Sequence, residues 1–387
     1  MMTTYTEQIN FEIPPVLRGL TFDGQKGLFI HRVTGKKGDL LLPSPKEFAS
    51  IEEASEVWKK LLDAYTAQRR VFPPVIEIAG MGLQYGLGTN YDEASRAEGV
   101  SLLPTLPPSA SRADVVRDKV ALVTGGAQGF GEGMVRSLVE NGAFVYIADM
   151  NAEGAKKLSD ELNYEACITV SKPLMVNVSD EESVEAMMNQ VAEETGGLDL
   201  FVSNAGVLRA GSVKVMELKD FQFVTNVDYT GFFICTKFAS RVMALQNIPS
   251  SSYFTDIIAI SSKSGLEGSN KNGAYAGAKF GTIGLTQSFA LELVEDNIKV
   301  NAICPGNFLD GPLWSDPKKG LFVQYLEAGK VPGAKSIDDV RKFYESKVPM
   351  NRGCRTEDVM KALLYIVEQT YETGQAVPVT GGQVMLN

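Results

Sequence analysis

Short apolar runs alternate with longer stretches of mixed polarity along the chain from Lys119 to the C-terminus. The runs are rich in β-branched residues, which is typical of buried strands; in order they are VALVTG, FVYIAD, PLMVNV, LDLFVSNAG, IIAISS, IKVNAICPG and QAVPVTGG. Most of them are separated by helix-like segments of about a dozen residues or more. This alternation predicts right-handed βαβ crossovers, and therefore an α/β fold with a doubly wound parallel sheet over residues 117–387.

The first hundred or so residues lack this alternation and show a different pattern. Residues 20–42 read as short strands separated by turns, and Ser44-Pro45-Lys46-Glu47 has the chemistry of a helix start. The helix predicted after it has an apolar face made of Ile51, Ala54, Trp58, Leu61, Leu62 and Tyr65. Because PTLPPSAS at 104–111 predicts a stiff linker, we expect residues 1–116 to form a small α+β N-terminal extension. Its role is not indicated by its residues; a structural or oligomer-stabilising arm is the expectation.

Composition and charge exclude several classes of protein. The chain has 387 residues, 44% apolar and 22% charged, as in an ordinary globular protein, and its net charge of −10 argues against a nucleic-acid-binding surface. No apolar run of about 20 residues and no signal-peptide pattern is found, so we expect a cytoplasmic protein without a membrane contact. The cysteines stand far apart without CxxC spacing, which gives no indication of a metal site or a disulfide framework.

The histidine count restricts the chemistry further. His31 is the only histidine, so neither a three-histidine zinc site nor a Ser-His-Asp triad with a spare histidine can be built. It lies in the strand-like run LFIHRV, where we expect a half-exposed strand residue. Acid–base chemistry near neutral pH must therefore come from another side chain.

A glycine-rich loop follows the first predicted strand of the parallel sheet and opens a helix. In the segment Thr124–Gly131, Gly125 suits a tight turn, Gly129 allows a pyrophosphate to approach the backbone, and Gly131 allows close packing of helix and strand. The helix start supplies free N–H groups for that anion, with Gln128 and Phe130 in the same loop. The strand before and the helix after it favour a Rossmann-type dinucleotide site over a plain turn.

Asp149, at the end of the second strand, predicts which dinucleotide is bound. A carboxylate here can accept hydrogen bonds from the adenosine ribose hydroxyls, and it repels a 2′-phosphate. The neighbours Gln128 and Met150 bring no positive charge that could bind that phosphate. We therefore expect NAD rather than NADP as the cofactor.

Tyr275 and Lys279 stand four residues apart in AYAGAKFG, which places them on one face of a helix. A free tyrosine, with a pKa of about 10, is a poor base at neutral pH, but a nearby ammonium favours the phenolate. Ser262, at the end of the run IIAISS, can donate a hydrogen bond to a substrate oxygen. Each residue alone has an ordinary structural explanation, whereas the set predicts a proton-transfer site.

The loop TGGAQGFG, the triplet Asn204-Ala205-Gly206 and the Ser, Tyr and Lys set together resemble the short-chain dehydrogenase/reductase family. The family motif places its serine thirteen residues before the tyrosine, which selects Ser262 over Ser261 and Ser264. The resemblance implies that Tyr275 removes the hydroxyl proton while NAD accepts hydride, that Lys279 also reaches the nicotinamide ribose, and that Asn226 in TNVDYTGFF holds a relay water. It also implies further cofactor contacts, at Asn177, Val178, Asn204, Ala205, Gly206, Pro305 and Gly306. The family usually has Asp where this chain has Asn177, so the adenine contact there departs from the pattern.

Segments after Ile260, among them SKSG, KVPMNRGC and VTGGQVM, resemble the members of that family that act on phosphorylated hexitols. This implies reversible NAD-dependent oxidation of sorbitol 6-phosphate to fructose 6-phosphate, and a phosphate bound by Lys263, Lys271 or Arg209. Lys263 is favoured because it follows Ser262 directly, whereas the other two are equally well explained as solvated loop charges. Two alternatives remain: the chain dehydrogenates another polyol or sugar phosphate, or it is a non-catalytic NAD-binding sensor.

Two expectations concern larger parts of the molecule. Residues 307–350 are expected to form a helical lid over the substrate, with Phe308, Leu309, Leu313 and Trp314 covering it or simply packing. The family resemblance also implies a homotetramer or homodimer assembled through the helix of Tyr275 and the helix before it.

Overall fold

The computed structural model describes residues 9–101, 112–318, 320–327, 329 and 331–385. The predicted linker 104–111 and the side chain of Leu313 lie outside this described part. Within it, no helix is both long enough and apolar enough to cross a membrane, and no group of three or more His, Cys, Asp or Glu side chains is placed to hold a metal ion.

Residues 9–101 form an N-terminal module with its own small sheet. In chain order its elements are α1 (Ile9–Leu20), β1 (Phe29–Val33), β2 (Leu40–Leu42), α2 (Ile51–Arg69), β3 (Val71–Phe72), β4 (Val75–Ile78), β5 (Leu83–Gly88), α3 (Tyr91–Arg96) and β6 (Val100–Ser101). The four-stranded sheet has the order β1-β5-β4-β2, and β3 pairs with β6. Trp58 and Leu62 of α2 are buried against this sheet, as the predicted apolar face requires.

The rest of the chain builds a parallel sheet of seven strands. These are β7 (Val120–Thr124), β8 (Phe144–Asp149), β9 (Ser171–Met175), β10 (Leu200–Ser203), β11 (Thr255–Ile260), β12 (Ile298–Pro305) and β13 (Ala376–Val379). Their order across the sheet is β9-β8-β7-β10-β11-β12-β13, with parallel pairing at every step. The predicted doubly wound parallel sheet is thus confirmed.

Helices connect these strands. They are α4 (Gly129–Glu140), α5 (Ala152–Ala166), α6 (Glu181–Thr195), α7 (Leu218–Thr225), α8 (Gly231–Asn247), α9 (Gly273–Leu293), α10 (Pro312–Ser315), α11 (Leu321–Glu327), α12 (Ile337–Ser346) and α13 (Thr356–Glu368). A single π-helical turn, Asn226–Thr230, joins α7 to α8. Phe233 on α8 and Phe280 on α9 are each 46% exposed; the predicted assembly through these helices stays a prediction.

The sheet order creates a crevice at its carboxyl edge. The chain runs outward from β7 through β8 to β9 and then returns to place β10 on the other side of β7. Because the connections on the two sides of this point lead to opposite faces of the sheet, a crevice opens above the ends of β7 and β10. Thr124, Ser203 and the segments that follow them therefore border the same space.

Two predicted details differ from the structure. Ser44 does form a capping box with Glu47, but it opens only a short 3₁₀ turn, and α2 begins after a second cap, the side chain of Ser50. The third parallel strand begins at Ser171 and ends at Met175, before the predicted Asn177 and Val178.

The N-terminal module packs directly onto the main sheet domain. Helix α1 lies against α6 and α8, and β1 lies against α6. His31 is half-buried in β1, and its Nδ1 lies 2.9 Å from the backbone oxygen of Glu194 in α6. Phe29 belongs to the same buried cluster as the core of the parallel sheet. The module and the sheet domain therefore share part of one hydrophobic core.

Candidate active site

The glycine loop after β7 has the shape of a cradle for an anion. Gly125 has a φ of 63°, a left-handed conformation that favours glycine. A Cβ on Gly131 would lie 2.0 Å from the Gly125 oxygen, so this position has no room for a side chain. Helix α4 begins here with Gln128 as its N-cap, and no side chain caps it. The start of a twelve-residue helix is thus open toward the crevice, as a pyrophosphate requires.

Asn204 fixes the loop against the neighbouring strand. Its Nδ2 donates to the backbone oxygens of Thr124 (3.0 Å) and Gly125 (3.1 Å). The backbone N–H groups of Asn204 and Ala205 both donate to the hydroxyl of Thr124. The predicted triplet Asn204–Gly206 therefore holds the two sides of the crevice in one arrangement.

Asp149 ends β8 beside the glycine loop and is partly exposed. Its two carboxylate oxygens accept the backbone N–H groups of Ala127 (3.0 Å) and Asn151 (2.9 Å). These bonds hold the carboxylate at the rim of the loop. A negative charge therefore stands beside the predicted dinucleotide site, as the sequence led us to expect.

The other predicted cofactor residues border the crevice in different ways. The ring of Phe130 stacks on Phe308, with centroids 4.2 Å apart. Asn177 accepts the Ser179 N–H through its own Oδ1 (3.1 Å), and Val178 is buried. Pro305 is the last residue of β12, and the Gly306 N–H donates to the Val379 oxygen (2.9 Å). Gln128 is exposed at the helix start.

Helix α9 carries Tyr275 and Lys279 on one face. Tyr275 is half-buried, whereas Lys279 is buried, and the Lys279 Nζ lies 5.5 Å from the centre of the Tyr275 ring. The same ammonium donates to the backbone oxygen of Ile260 (3.1 Å), the last residue of β11. The predicted phenol and ammonium are thus neighbours at the carboxyl end of the sheet.

Two serines follow β11, and they have different environments. Ser261 is buried and donates to the backbone oxygen of Lys279 (3.1 Å), so its hydroxyl is used in packing. Ser262 is half-exposed; its Oγ accepts the Ser264 N–H (3.1 Å), and its own proton is not used in that bond. This placement favours Ser262 as the hydroxyl that faces a substrate.

The structure places Asn226 and its neighbour Asp228 in different environments. Asn226 is exposed at the start of the π-helical turn, whereas Asp228, two residues later, is buried with its Oδ2 3.3 Å from the Lys279 Nζ. The Oδ1 of Asp228 accepts the Val207 N–H (2.7 Å), just after Gly206. Because successive helical residues are about 100° apart, two positions two residues apart point to nearly opposite sides. The family motif indicates Asn226, whereas the residue that the structure brings next to Lys279 is Asp228.

Burial and charge act against each other in this pair. Burial raises the pKa of Asp228 above its ordinary value, although the ammonium of Lys279 opposes that shift. For Lys279, burial alone would lower the pKa, but the charge interactions with Asp228 and Tyr275 raise it. Lys279 therefore stays an ammonium through the neutral range, as a group that favours a phenolate must.

The three predicted phosphate-binding cations are placed unequally. Lys263 is half-buried in the short turn Lys263–Gly265 that follows Ser262. Arg209 is exposed, with its guanidinium 5.1 Å from the centre of the Phe223 ring. Lys271 is exposed, and its backbone oxygen accepts the Gly211 N–H (2.8 Å), which joins its loop to the loop of Arg209. Of the three, Lys263 is held nearest in sequence to the reacting groups.

The segment 307–350 folds into helices α10, α11 and α12 around a small core of its own. Leu309 and Trp314 are buried in that core and pack against its other apolar residues. Phe308 instead stacks on Phe130 of the glycine loop. The segment thus contacts the glycine loop through the aromatic pair Phe308 and Phe130.

Comparison with known proteins finds related sequences and folds. The family model for short chain dehydrogenase matches residues 119–316. Sorbitol-6-phosphate 2-dehydrogenase of Escherichia coli is 37% identical over 271 residues, which are 69% of this chain and 99% of that enzyme. The crystal structure of sorbitol-6-phosphate 2-dehydrogenase from Erwinia amylovora superposes with a TM-score of 0.63 at 37% identity, covering 69% of this chain and 100% of that one. An actinorhodin polyketide ketoreductase with NADPH has 26% identity and a TM-score of 0.60, over 68% of this chain and 97% of its own.

Proposed function

The chain belongs to the short-chain dehydrogenase family and is an oxidoreductase, and on this premise we propose that it interconverts sorbitol 6-phosphate and fructose 6-phosphate with NAD. One observation carries the catalytic part of the proposal: the buried ammonium of Lys279 lies 5.5 Å from the centre of the Tyr275 ring. The substrate part rests on the likeness to two sorbitol-6-phosphate 2-dehydrogenases along nearly their full length.

In the proposed reaction each residue has one task. Tyr275 takes the proton of the hydroxyl that is oxidised, because the neighbouring ammonium of Lys279 favours its phenolate. Ser262 donates a hydrogen bond to the same oxygen and fixes its direction. The dinucleotide, when bound on the glycine loop, supplies the hydride acceptor. Lys279 keeps its position through the bond to the Ile260 oxygen.

Charge supports NAD as the cofactor. The carboxylate of Asp149 is held at the rim of the glycine loop by two backbone N–H groups. A 2′-phosphate at that rim would meet a fixed negative charge, whereas the two hydroxyls of an unmodified ribose can donate to it. A ketoreductase with this fold has been crystallised with NADPH, so we take the choice to depend on this local charge and not on the fold.

A substrate panel tests the proposal. The purified chain is given sorbitol 6-phosphate, sorbitol or mannitol 1-phosphate with NAD or NADP, and reduced dinucleotide is followed by absorbance. We expect the highest kcat/KM for sorbitol 6-phosphate with NAD. Tyr275→Phe is the matched control, and it should lose a factor of about 100 or more in kcat while still binding NADH.

Other outcomes of the panel would contradict the proposal in different ways. Activity on sorbitol alone would show that the substrate is not phosphorylated. A preference for NADP would contradict the role of Asp149. If no polyol were oxidised although the protein still bound NADH, the alternative of a cofactor-binding sensor would be favoured.

A further inference from the structure

The environment of Asp228 is unusual for a carboxylate because it is buried beside the reacting groups. Its side chain is fully buried, and Oδ2 lies 3.3 Å from the Nζ of Lys279 without meeting a hydrogen-bond partner among the described residues. A Cβ on Gly206 would lie 3.2 Å from that oxygen and 3.4 Å from the ammonium. The carboxylate and the ammonium therefore meet at the glycine that borders the crevice.

The position of Asp228 is fixed from several sides. Its Oδ1 accepts the Val207 N–H (2.7 Å), and its backbone oxygen accepts the hydroxyl of Thr282 on α9 (3.2 Å). Its place in a π-helical turn gives the backbone an extra residue at this point. Such a carboxylate cannot swing away from Lys279 without breaking these bonds.

The ammonium of Lys279 is thus shared among three groups. It faces Asp228, donates to the Ile260 oxygen and lies under the ring of Tyr275. Among the described residues, Cys304 on β12 also interacts electrostatically with Lys279, and burial raises the pKa of that thiol to about 11, which keeps it uncharged. The local charges are therefore one ammonium, one carboxylate and a phenol that gains charge when it ionises.

We propose that Asp228 is a positioning residue that partly neutralises Lys279 and so sets the pH at which Tyr275 gives up its proton. The inference deepens the proposed function, since it assigns the control of its acid–base step. An unopposed ammonium would favour the phenolate more strongly and at lower pH. The carboxylate weakens that effect, so that Tyr275 can also return its proton when the reaction runs toward the alcohol.

Asp228→Asn removes the charge and keeps an oxygen that can accept the Val207 N–H. The ionisation of Tyr275 is measured as the tyrosinate absorbance of each protein minus that of the same protein carrying Tyr275→Phe. No substrate or cofactor is needed, so the result does not depend on the activity. We expect Tyr275 in D228N to ionise about one pH unit lower than in the original chain, tenfold in the equilibrium.

Asp256→Asn is the matched control. Asp256 forms a second buried pair with Lys299 (2.9 Å), at the amino end of β11 and away from Tyr275. D256N should disturb folding to a similar degree and leave the ionisation of Tyr275 where it was. If D228N does not fold, Asp228→Ser removes the same charge with a smaller side chain. In that variant, too, Tyr275 should ionise at lower pH than in the original chain.

The acid limb of the pH profile of kcat/KM gives a second measurement on any polyol that is turned over. It should move to lower pH in D228N by the same amount. An unchanged or higher ionisation pH of Tyr275 in D228N would overturn the inference, and so would an equal shift in D256N. The proposed substrate could then still be right, because the panel assay tests it separately.

Discussion

At the scale of single residues, the charge of Asp149 has the most direct consequence. Replacing it with Ala removes the negative charge at the rim of the glycine loop and leaves the N–H groups of Ala127 and Asn151 without their acceptor. We expect the ratio of kcat/KM for NAD over NADP to fall by about tenfold or more, which is about 1.4 kcal/mol. The ratio is measured with one polyol substrate at fixed ionic strength, because salt screens the repulsion.

Asp180→Ala serves as the control for the Asp149 variant. Asp180 is an exposed N-cap of α6, so its loss affects a helix end and not the dinucleotide site. If D149A kept the preference for NAD while D180A behaved like the original chain, the repulsion of a 2′-phosphate would have to come from another group.

Lys263 is the residue on which phosphate recognition is predicted to depend. It is half-buried next to Ser262, whereas Arg209 and Lys271 are exposed in their loops. A charge-assisted hydrogen bond to phosphate contributes about 1.5–3 kcal/mol, so Lys263→Ala should raise KM for the phosphorylated polyol by a factor of about ten or more. Lys271→Ala and Arg209→Ala are the parallel variants, each measured on sorbitol 6-phosphate and on sorbitol.

The comparison of the two substrates distinguishes the loss of a phosphate contact from a general disturbance of the active site. Loss of a phosphate contact should change KM for sorbitol 6-phosphate only. An unchanged KM in K263A, with a large change in K271A or R209A, would move the phosphate site to the joined loops. Equal losses on both substrates would show that Lys263 supports the turn after Ser262 instead.

The candidate site shows how far single residues can be predicted from a sequence. Tyr275 and Lys279 were predictable because a fixed helical spacing puts them on one face. Asp228 was not, because its burial depends on a π-helical turn and on contacts with Val207 and Lys279 that lie far away in the sequence. The family resemblance indicates the nearby Asn226, and the structure leaves that residue exposed.

At the scale of elements, strand existence was predictable and element boundaries were less so. Each of the seven predicted apolar runs contains or overlaps a strand of the parallel sheet, because buried parallel strands need continuous apolar stretches. The start of α2 differs from the predicted one because Ser44 and Ser50 both have capping chemistry: Ser44 caps the short turn Pro45–Glu47, and Ser50 caps the long helix.

The segment 307–350 illustrates a different limit. Its helices were expected, but the role of its apolar residues was open between covering a substrate and ordinary packing. Leu309 and Trp314 form part of a separate small core, which a sequence pattern cannot distinguish from a lid surface. Phe308, which stacks on Phe130, is the residue through which a movement of this segment would reach the glycine loop.

At the scale of the whole molecule, the N-terminal module is joined to the sheet domain by a buried charge. The guanidinium of Arg18 in α1 is fully buried, with Nη2 2.7 Å from the carboxylate of Asp199. Asp199 also accepts the Val120 N–H at the start of β7, the side-chain amide of Gln246 and the hydroxyl of Tyr253. The two residues are 181 positions apart in the sequence, so no local pattern could have predicted the pair.

This arrangement makes the module part of the folded unit and predicts a large cost when the pair is broken. Arg18→Met keeps much of the volume but leaves a buried carboxylate without its cation, which costs about 3–5 kcal/mol. Lys26→Met is the control, because Lys26 pairs with Asp118 across the same boundary at a partly exposed site. It should cost at most about 1 kcal/mol. Denaturant unfolding measures both.

The unfolding free energy of Arg18→Met is expected to be lower than that of the original chain. The pH dependence of this deficit tests whether the unpaired carboxylate of Asp199 causes it. Burial would raise the pKa of Asp199, but Arg18 and the hydrogen bonds to the carboxylate hold it below its ordinary value. A group with a lowered folded-state pKa stabilises the fold above its unfolded pKa, about 3.9, and that contribution is lost as pH falls toward the folded value. Because the unfolded chains are alike, the deficit depends on the pKa of Asp199 in the two folded proteins, and burial without the Arg18 cation raises that pKa in the variant. The deficit should therefore be largest at neutral pH and above, begin to shrink as pH falls through that raised pKa, and keep shrinking toward the lowered pKa of the original chain. A deficit no larger than that of Lys26→Met, or one that persists unchanged in acid, would mean that the module is held mainly by its apolar contacts with α6 and α8.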